Sequence, residues 1–396
     1  MLRILTSGES HGPALCAIID GLPAGMPVDL NGINHLLALR QRGHGRGKRQ
    51  QIEHDAAEPI SGVRLGQSLP GPITLLVRNR DYAAWQGRMQ PEPAAERPTP
   101  ITSPRPGHAD FAGVLKHDLS DIRDILERSS ARNTASLVAA GALCLQLISA
   151  IGIRVHSYVR AIGPVEADPP DASELARLAA AIEESPVRCP DTERSRAMVV
   201  AIDRATEEGD TLGGIFDVVA IGCPPGLGSC TQWDRRLDSR LAAAIMGIQA
   251  VKGVEIGAGF RGAGRPGSEV HDEFEISDEH GFLRTGNNAG GIEGGMTNGE
   301  PILVSGAMKP IPTLRKRLAS VNLFSREVVP AHYERSDVCA VPAASVVGMA
   351  MVGIVLADAA IERFGADSYG AFLRSAAAWR EALAERGYTG ARWSPA

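Results

Sequence analysis

Aromatic side chains are scarce in this chain, 4% of 396 residues, which leaves few platforms for stacking nucleobases. The formal net charge of -5 offers no overall field for a polyanion, so nucleic acid is not an expected partner. Six cysteines (Cys16, Cys144, Cys189, Cys223, Cys230, Cys339) show neither C-x-x-C nor C…H spacing. That pattern speaks against a zinc site and a disulfide framework, and fits a reducing cytosol. No basic segment followed by an apolar h-region opens the chain, so no secretory signal is expected. Ala343 to Ala360 is apolar enough to be tested as a membrane span, but Gly348, Gly353 and its borderline length favour a buried core helix. The expected setting is therefore cytoplasmic, with no membrane partner.

What is present supports a large buried core, at 44% hydrophobic residues. Short strands are expected at Leu2 to Thr6 and Ala14 to Ile19, and strand-like runs from Ile52 to Val77. Helices are expected at Asp29 to Ala38, Ser120 to Leu126, Ala135 to Ile151, Asp171 to Glu184, Met198 to Ala205, Leu237 to Ile248 and Val346 to Phe364. Gly213 to Ile221 reads as a further strand, and Arg88 to Pro106 as an irregular loop. Strands and helices alternate without regular order, so the expected class is α+β. No repeat or clean linker divides the chain. One domain over 1–396 is expected, with about 375–396 a loosely held tail.

Two motifs mislead when taken singly. Gly8-Glu9-Ser10-His11-Gly12 fits the G-x-S-x-G nucleophile elbow, yet only Met1 to Ser7 precede it, too little for the sheet an elbow needs. Gly257-Ala258-Gly259-Phe260-Arg261-Gly262 fits the dinucleotide fingerprint, yet Gly264, Pro266 and Gly267 follow where a helix should open.

Other segments are suited to anions. Arg40 to Arg49 sets five cationic side chains among three glycines, a loop fit for a small ligand bearing phosphate or carboxylate. Arg128-Ser129-Ser130-Ala131-Arg132 stands where an apolar helix begins, so hydroxyl caps, helix dipole and guanidinium groups coincide. Asn287 to Gly299 is too glycine-rich for a regular element. Asp337, beside Arg335, is by itself an ordinary ion-pair pattern.

Taken together, Gly8 to Pro23, Arg40 to Arg49, Arg105 to Asp110, Arg128 to Gly141, Trp233 to Gly259, Asn288 to Pro301, Lys309 to Thr313 and Arg335 to Asp358 resemble the chorismate synthase family. Order and spacing match over nearly the whole chain. The resemblance implies a β-α-β sandwich, with helices between two antiparallel sheets, assembled as a homotetramer. It implies conversion of 5-enolpyruvylshikimate-3-phosphate to chorismate and phosphate, a 1,4-elimination that closes the shikimate pathway and needs reduced FMN without net redox change. NADPH is implied as a candidate reductant, or else a separate flavin reductase as partner.

By the same resemblance, Arg40, Arg46, Arg49, Arg105, Arg132 and Arg335 would hold the substrate's phosphate and two carboxylates. Ser10 and Ser130 would add hydroxyl hydrogen bonds. His11 would protonate the departing phosphate, His108 would protonate or neutralise the reduced flavin, and Asp337 would help remove the ring proton. Flavin contacts would come from Arg128, Ser129, Ser130, Gln249, Ala250, Gly294, Lys309, Pro310, Ile311, Pro312, Thr313 and Arg335. The family also places NADP at Arg40 and Arg46, where the substrate role is preferred. Two positions depart from the family pattern: Asn133 stands where an acidic residue follows the arginine, and Met349 stands where a Glu is expected. They leave a diverged paralogue, binding flavin with low or altered lyase activity, as the alternative.

Overall fold

The structure is a computed structural model that describes residues 1–47, 52–94, 96, 98–278 and 281–388. Period-two burial builds its first sheet. Arg3–Ser7 (β1), Ala14–Asp20 (β2), Ala57–Ser61 (β3) and Ile73–Arg78 (β4) pair antiparallel in the order β1-β2-β4-β3. Leu15, Ala17, Ile19, Ile73, Leu75 and Val77 turn inward and are buried. The second sheet joins Arg154–Ile162 (β5), Val165–Glu166 (β6), Gly214–Ile221 (β7), Val251–Ile256 (β8) and Ile302–Met308 (β9) in the order β8-β9-β7-β5-β6. Its inward side chains include Phe216, Val218, Ile302 and Val304.

Helices fill the space between the sheets. Leu30–Gln41 (α1) is capped by Asp29, whose carboxylate accepts from Asn31 N at 2.9 Å. Arg123–Ser129 (α2) breaks at Ser130 before Thr134–Ser149 (α3), which is buried nearly all round and lies against β2 and β4. Leu237–Met246 (α4) and Val341–Phe364 (α5) face the second sheet, and α3 packs directly on α5. The layers run sheet, helices, helices, sheet, which is the expected sandwich. The apolar run at Ala343 to Ala360 is thus the innermost helix, enclosed by its own chain.

The α3–α5 crossing depends on one missing methyl. A Cβ at Gly141 would lie 2.5 Å from Ala350 Cβ and 2.7 Å from its Cα, inside any real contact distance. Gly141→Ala therefore forces the two central helices apart, with an expected loss of about 1–3 kcal/mol, read as a lower urea midpoint at unchanged slope.

Three differences from the expected elements have local causes. The helix expected from Met198 begins at Thr192, because Asp191 caps it through Arg194 N at 2.8 Å and its first turns are polar. Residues 375–388 do not form a loose tail: Tyr369–Glu385 (α6) runs through them and buries Phe372, Ala376 and Leu383 against the core, while 389–396 fall outside the described residues. A short helix does form within the G-x-G-x-x-G stretch, but it spans only Gly259–Ala263 and stops at Gly264, off an antiparallel strand. No pyrophosphate cradle of the βαβ kind results.

Candidate active site

The turn after β1 is held from three sides. Gly8 has φ 103°, and a side chain there would meet Ala14 O at 2.3 Å. Asn79 Nδ2 donates to Glu9 O and Gly12 O at 3.1 and 2.7 Å, and Ser10 N donates to Glu127 O at 3.0 Å. The chain then enters β2 rather than a helix, so the G-x-S-x-G stretch is a strand–turn–strand connection and not an elbow.

This turn places Ser10 and His11 at the wall of a cavity of about 770 Å³. The volume is in the range that holds a drug-sized or cofactor-sized ligand. The break between α2 and α3 brings Ser129, Ser130 and Arg132 to it, and the start of α5 supplies Ala343, Ala344 and Val347 as an apolar floor. Of the predicted residues, Arg40, Arg46, Arg105, His108, Gln249, Ala250, Lys309, Ile311, Pro312, Thr313, Arg335 and Asp337 also line it. Among the described residues, nine cationic side chains face this cavity against two acidic ones, Glu334 and Asp337, in a chain that is acidic overall.

Three predicted contacts lie elsewhere. Arg128 is spent on the fold: its guanidinium donates to Thr6 O and Thr6 Oγ1 at 2.7 Å, to Gly8 O at 3.2 Å and to Asn133 Oδ1 at 3.1 Å. Gly294 turns the small hairpin Ile292–Thr297 beside Cys230, and Pro310 is exposed outside the lining. Arg49 lies outside the described residues. The two departures are absorbed locally, since Asn133 faces Arg128 rather than the cavity and Met349 packs against the core.

Buried carboxylates behind the wall organise the cations, and sequence reasoning assigned them no role. Asp55 grips Arg40 Nη2 at 2.7 Å and Arg132 Nη1 at 2.6 Å. Burial pushes its carboxyl up, but the two guanidinium groups outweigh that and hold it below the usual range; burial lowers Arg40 to about 10, leaving it cationic at neutrality. Asp110, fully buried, takes Arg105 Nε at 2.8 Å and also bonds His108 Nδ1. Hydrogen bonds from His108 and Arg105 outweigh burial and keep Asp110 well below the carboxylate range. Asp337 pairs with Arg46 Nη1 at 2.8 Å rather than with its neighbour Arg335, and accepts Gly47 N at 2.7 Å.

His11 has its own anchor. Glu127 Oε1 lies 2.8 Å from Nδ1, and Oε2 accepts the His11 backbone N–H at 2.7 Å. Trp85, which no motif indicated, stacks on the imidazole at 4.0 Å between centroids and 29° between planes. Arg123 lies over the same indole at 5.0 Å and reaches Glu334 at 2.5 Å. His332 and Arg123 outweigh burial and hold Glu334 down at about 2.

Several buried polar atoms in the cavity wall have no hydrogen-bond partner among the described residues: Gln249 Oε1, Arg40 Nε and Arg46 Nε, while Arg132 Nη2 has only Glu53 at 3.6 Å. Buried polar groups of this kind cost free energy unless a ligand satisfies them. An acceptor at Gln249 beside an apolar floor fits the N–H edge of a planar ring system, and the guanidinium groups fit phosphate and carboxylate.

The family model for chorismate synthase matches residues 2–361. The chain is 55% identical over 369 residues to chorismate synthase of Desulforudis audaxviator strain MP104C, covering 93% of this chain and 94% of that one. It is 52% identical over 391 residues to the Symbiobacterium thermophilum chorismate synthase, covering 97% and 100%. A crystal structure of a chorismate synthase superposes with TM-score 0.79 at 41% identity, over 97% of this chain and 98% of the other. Nothing in these likenesses favours the diverged paralogue. The chain belongs to the chorismate synthase family.

Proposed function

We propose that the chain converts 5-enolpyruvylshikimate-3-phosphate to chorismate and phosphate by a 1,4-elimination that requires reduced FMN. The observation that carries this reading is an arginine-lined cavity with an anchored imidazole on its wall, in a chain of this family. The reaction breaks the carbon–oxygen bond to phosphate, removes a ring proton and leaves a second ring double bond. Arg40, Arg46, Arg105, Arg132 and Arg335 neutralise the substrate's phosphate and carboxylates; Asp55 keeps Arg40 and Arg132, and Asp110 keeps Arg105, in place before the substrate arrives. His11 supplies a proton to the departing phosphate oxygen, as a positioned imidazole can. Ser10 and Ser130 add hydroxyl contacts at the same wall.

FMN would be held by Gln249, Ala250, Lys309, Ile311, Pro312 and Thr313, with His108 near its anionic edge. When bound and reduced, it supplies the electron density that eases carbon–oxygen cleavage. The Asp337 carboxylate, positioned by Arg46 Nη1 and Gly47 N, would help take up the ring proton as the second ring double bond forms. Arg40 is only 3% exposed and bound to Asp55, which supports a substrate role over an NADP role. Homotetramer assembly and a cytoplasmic setting belong to the same proposal; exposed Leu5, Ile18 and Ile60 on the outer face of the first sheet support assembly.

Anaerobic incubation with photoreduced FMN and the phosphorylated substrate tests this, read as chorismate absorbance and released phosphate. Failure to form chorismate overturns it. NADPH oxidation by the purified protein with FMN decides between an internal reductant and a partner reductase.

A further inference from the structure

We propose that Glu127 is the positioning residue that fixes His11 in its proton-donating form, and that Arg123 sets how strongly it does so. This rests on the reading of His11 as the acid. The grip is two-pointed: Oε2 fixes the backbone of the turn and Oε1 fixes the ring, so the imidazole cannot rotate without breaking one contact. With Nδ1 committed to a carboxylate, the ring exchanges its proton with a ligand through Nε2, and Trp85 stacked at 4.0 Å sets the ring plane.

Charge completes the device. Glu127 is 2% exposed, so its attraction for an imidazolium is little screened. Burial pushes its own carboxyl up, yet the His11 hydrogen bonds outweigh this and hold it ionised beside the ring. Arg123 Nη1 shares Oε1 at 3.1 Å and so competes with His11 for the same charge. Glu334 draws the other end of Arg123 away at 2.5 Å, with His332 behind it at 3.3 Å. Arg88, over the Trp85 ring at 5.6 Å, and Glu9, in the same turn, are further charged groups on the neighbouring elements. The proton that leaves comes from His11, and Glu127 stays a carboxylate throughout. A structural ion pair alone would not require a second cation to be balanced against the histidine on one oxygen.

The test is the pH at which His11 titrates, measured two ways. In Glu127→Gln the high-pH limb of kcat moves down by about 1–2 units, because the neutralised neighbour no longer favours the imidazolium. Histidine-labelled NMR on the flavin-free protein shows the same downward shift for the resonance that His11→Ala removes. Arg123→Gln moves both readouts the opposite way, and covers the case in which the first variant does not fold. Glu127→Asp restores the titration while shortened reach lowers kcat. Unmoved titrations in both neutralising variants overturn the proposal. If His11→Ala instead keeps full turnover, the acid reading fails, while the NMR shift still reports on the hold of Glu127.

Discussion

His11→Ala lowers kcat for the elimination by about 10²–10⁴-fold, the usual contribution of a positioned general acid, and leaves KM within a few-fold. The split follows from how the cavity is wired. His11 hangs on Glu127, Trp85 and the turn at Gly8, whereas Arg40 and Arg132 hang on Asp55 and Arg105 on Asp110. Removing the imidazole therefore leaves the anion-binding groups where they were. Loss of rate at constant substrate binding is the signature of an interaction made in the transition state only. The same variant loses the high-pH limb of its rate profile, since the group that must be protonated is gone. Anaerobic steady-state kinetics checks both, with circular dichroism confirming the fold. Full turnover in this variant moves the acid elsewhere in the cavity.

Most of the frame was legible because its signals are local. Short apolar runs bounded by glycine and proline mark Ala14–Asp20 and Ile73–Arg78, and small apolar residues with a glycine stop mark Thr134–Ser149 and Val341–Phe364. The terminal helix Tyr369–Glu385 was not, because its buried Phe372, Ala376 and Leu383 are diluted by alanine and arginine. The site divides the same way. Cationic and glycine-rich segments announce an anion cavity, since arginine has few other reasons to cluster in an acidic chain. The carboxylates that hold those arginines leave no such trace: a buried Asp55 or Asp110 looks like any surface acid until the fold brings its partners from 15 or 77 residues away, or from the next turn. Arg128 shows the converse, a cation in the right motif that the strand backbone had already claimed.

Asp55→Asn is expected to cost about 3–5 kcal/mol of stability, the penalty for removing one member of a buried ion cluster. Arg40 and Arg132 are 3% and 6% exposed, so neither can turn to water when the shared carboxylate loses its charge. Glu53, 3.6 Å from Arg132 Nη2, is too far to replace two contacts of 2.6 and 2.7 Å. Asparagine keeps the shape, so the loss reports charge and not a cavity. Two further results separate this from simple damage to the core. Inorganic phosphate should raise the melting temperature of the variant more than that of the parent, because an anion binding the folded form alone stabilises it by mass action and now meets two uncompensated guanidinium groups. The acid side of the stability curve should also flatten. Asp55 has a folded value below its unfolded value of 3.8, so its contribution is present above that pH and lost as pH falls through the folded value; the asparagine variant has none to lose. A variant as stable as the parent and indifferent to phosphate would mean that Asp55 does not carry the arginine pair, and the pre-ordered anion site would have to rest on Glu53 and Asn79 instead.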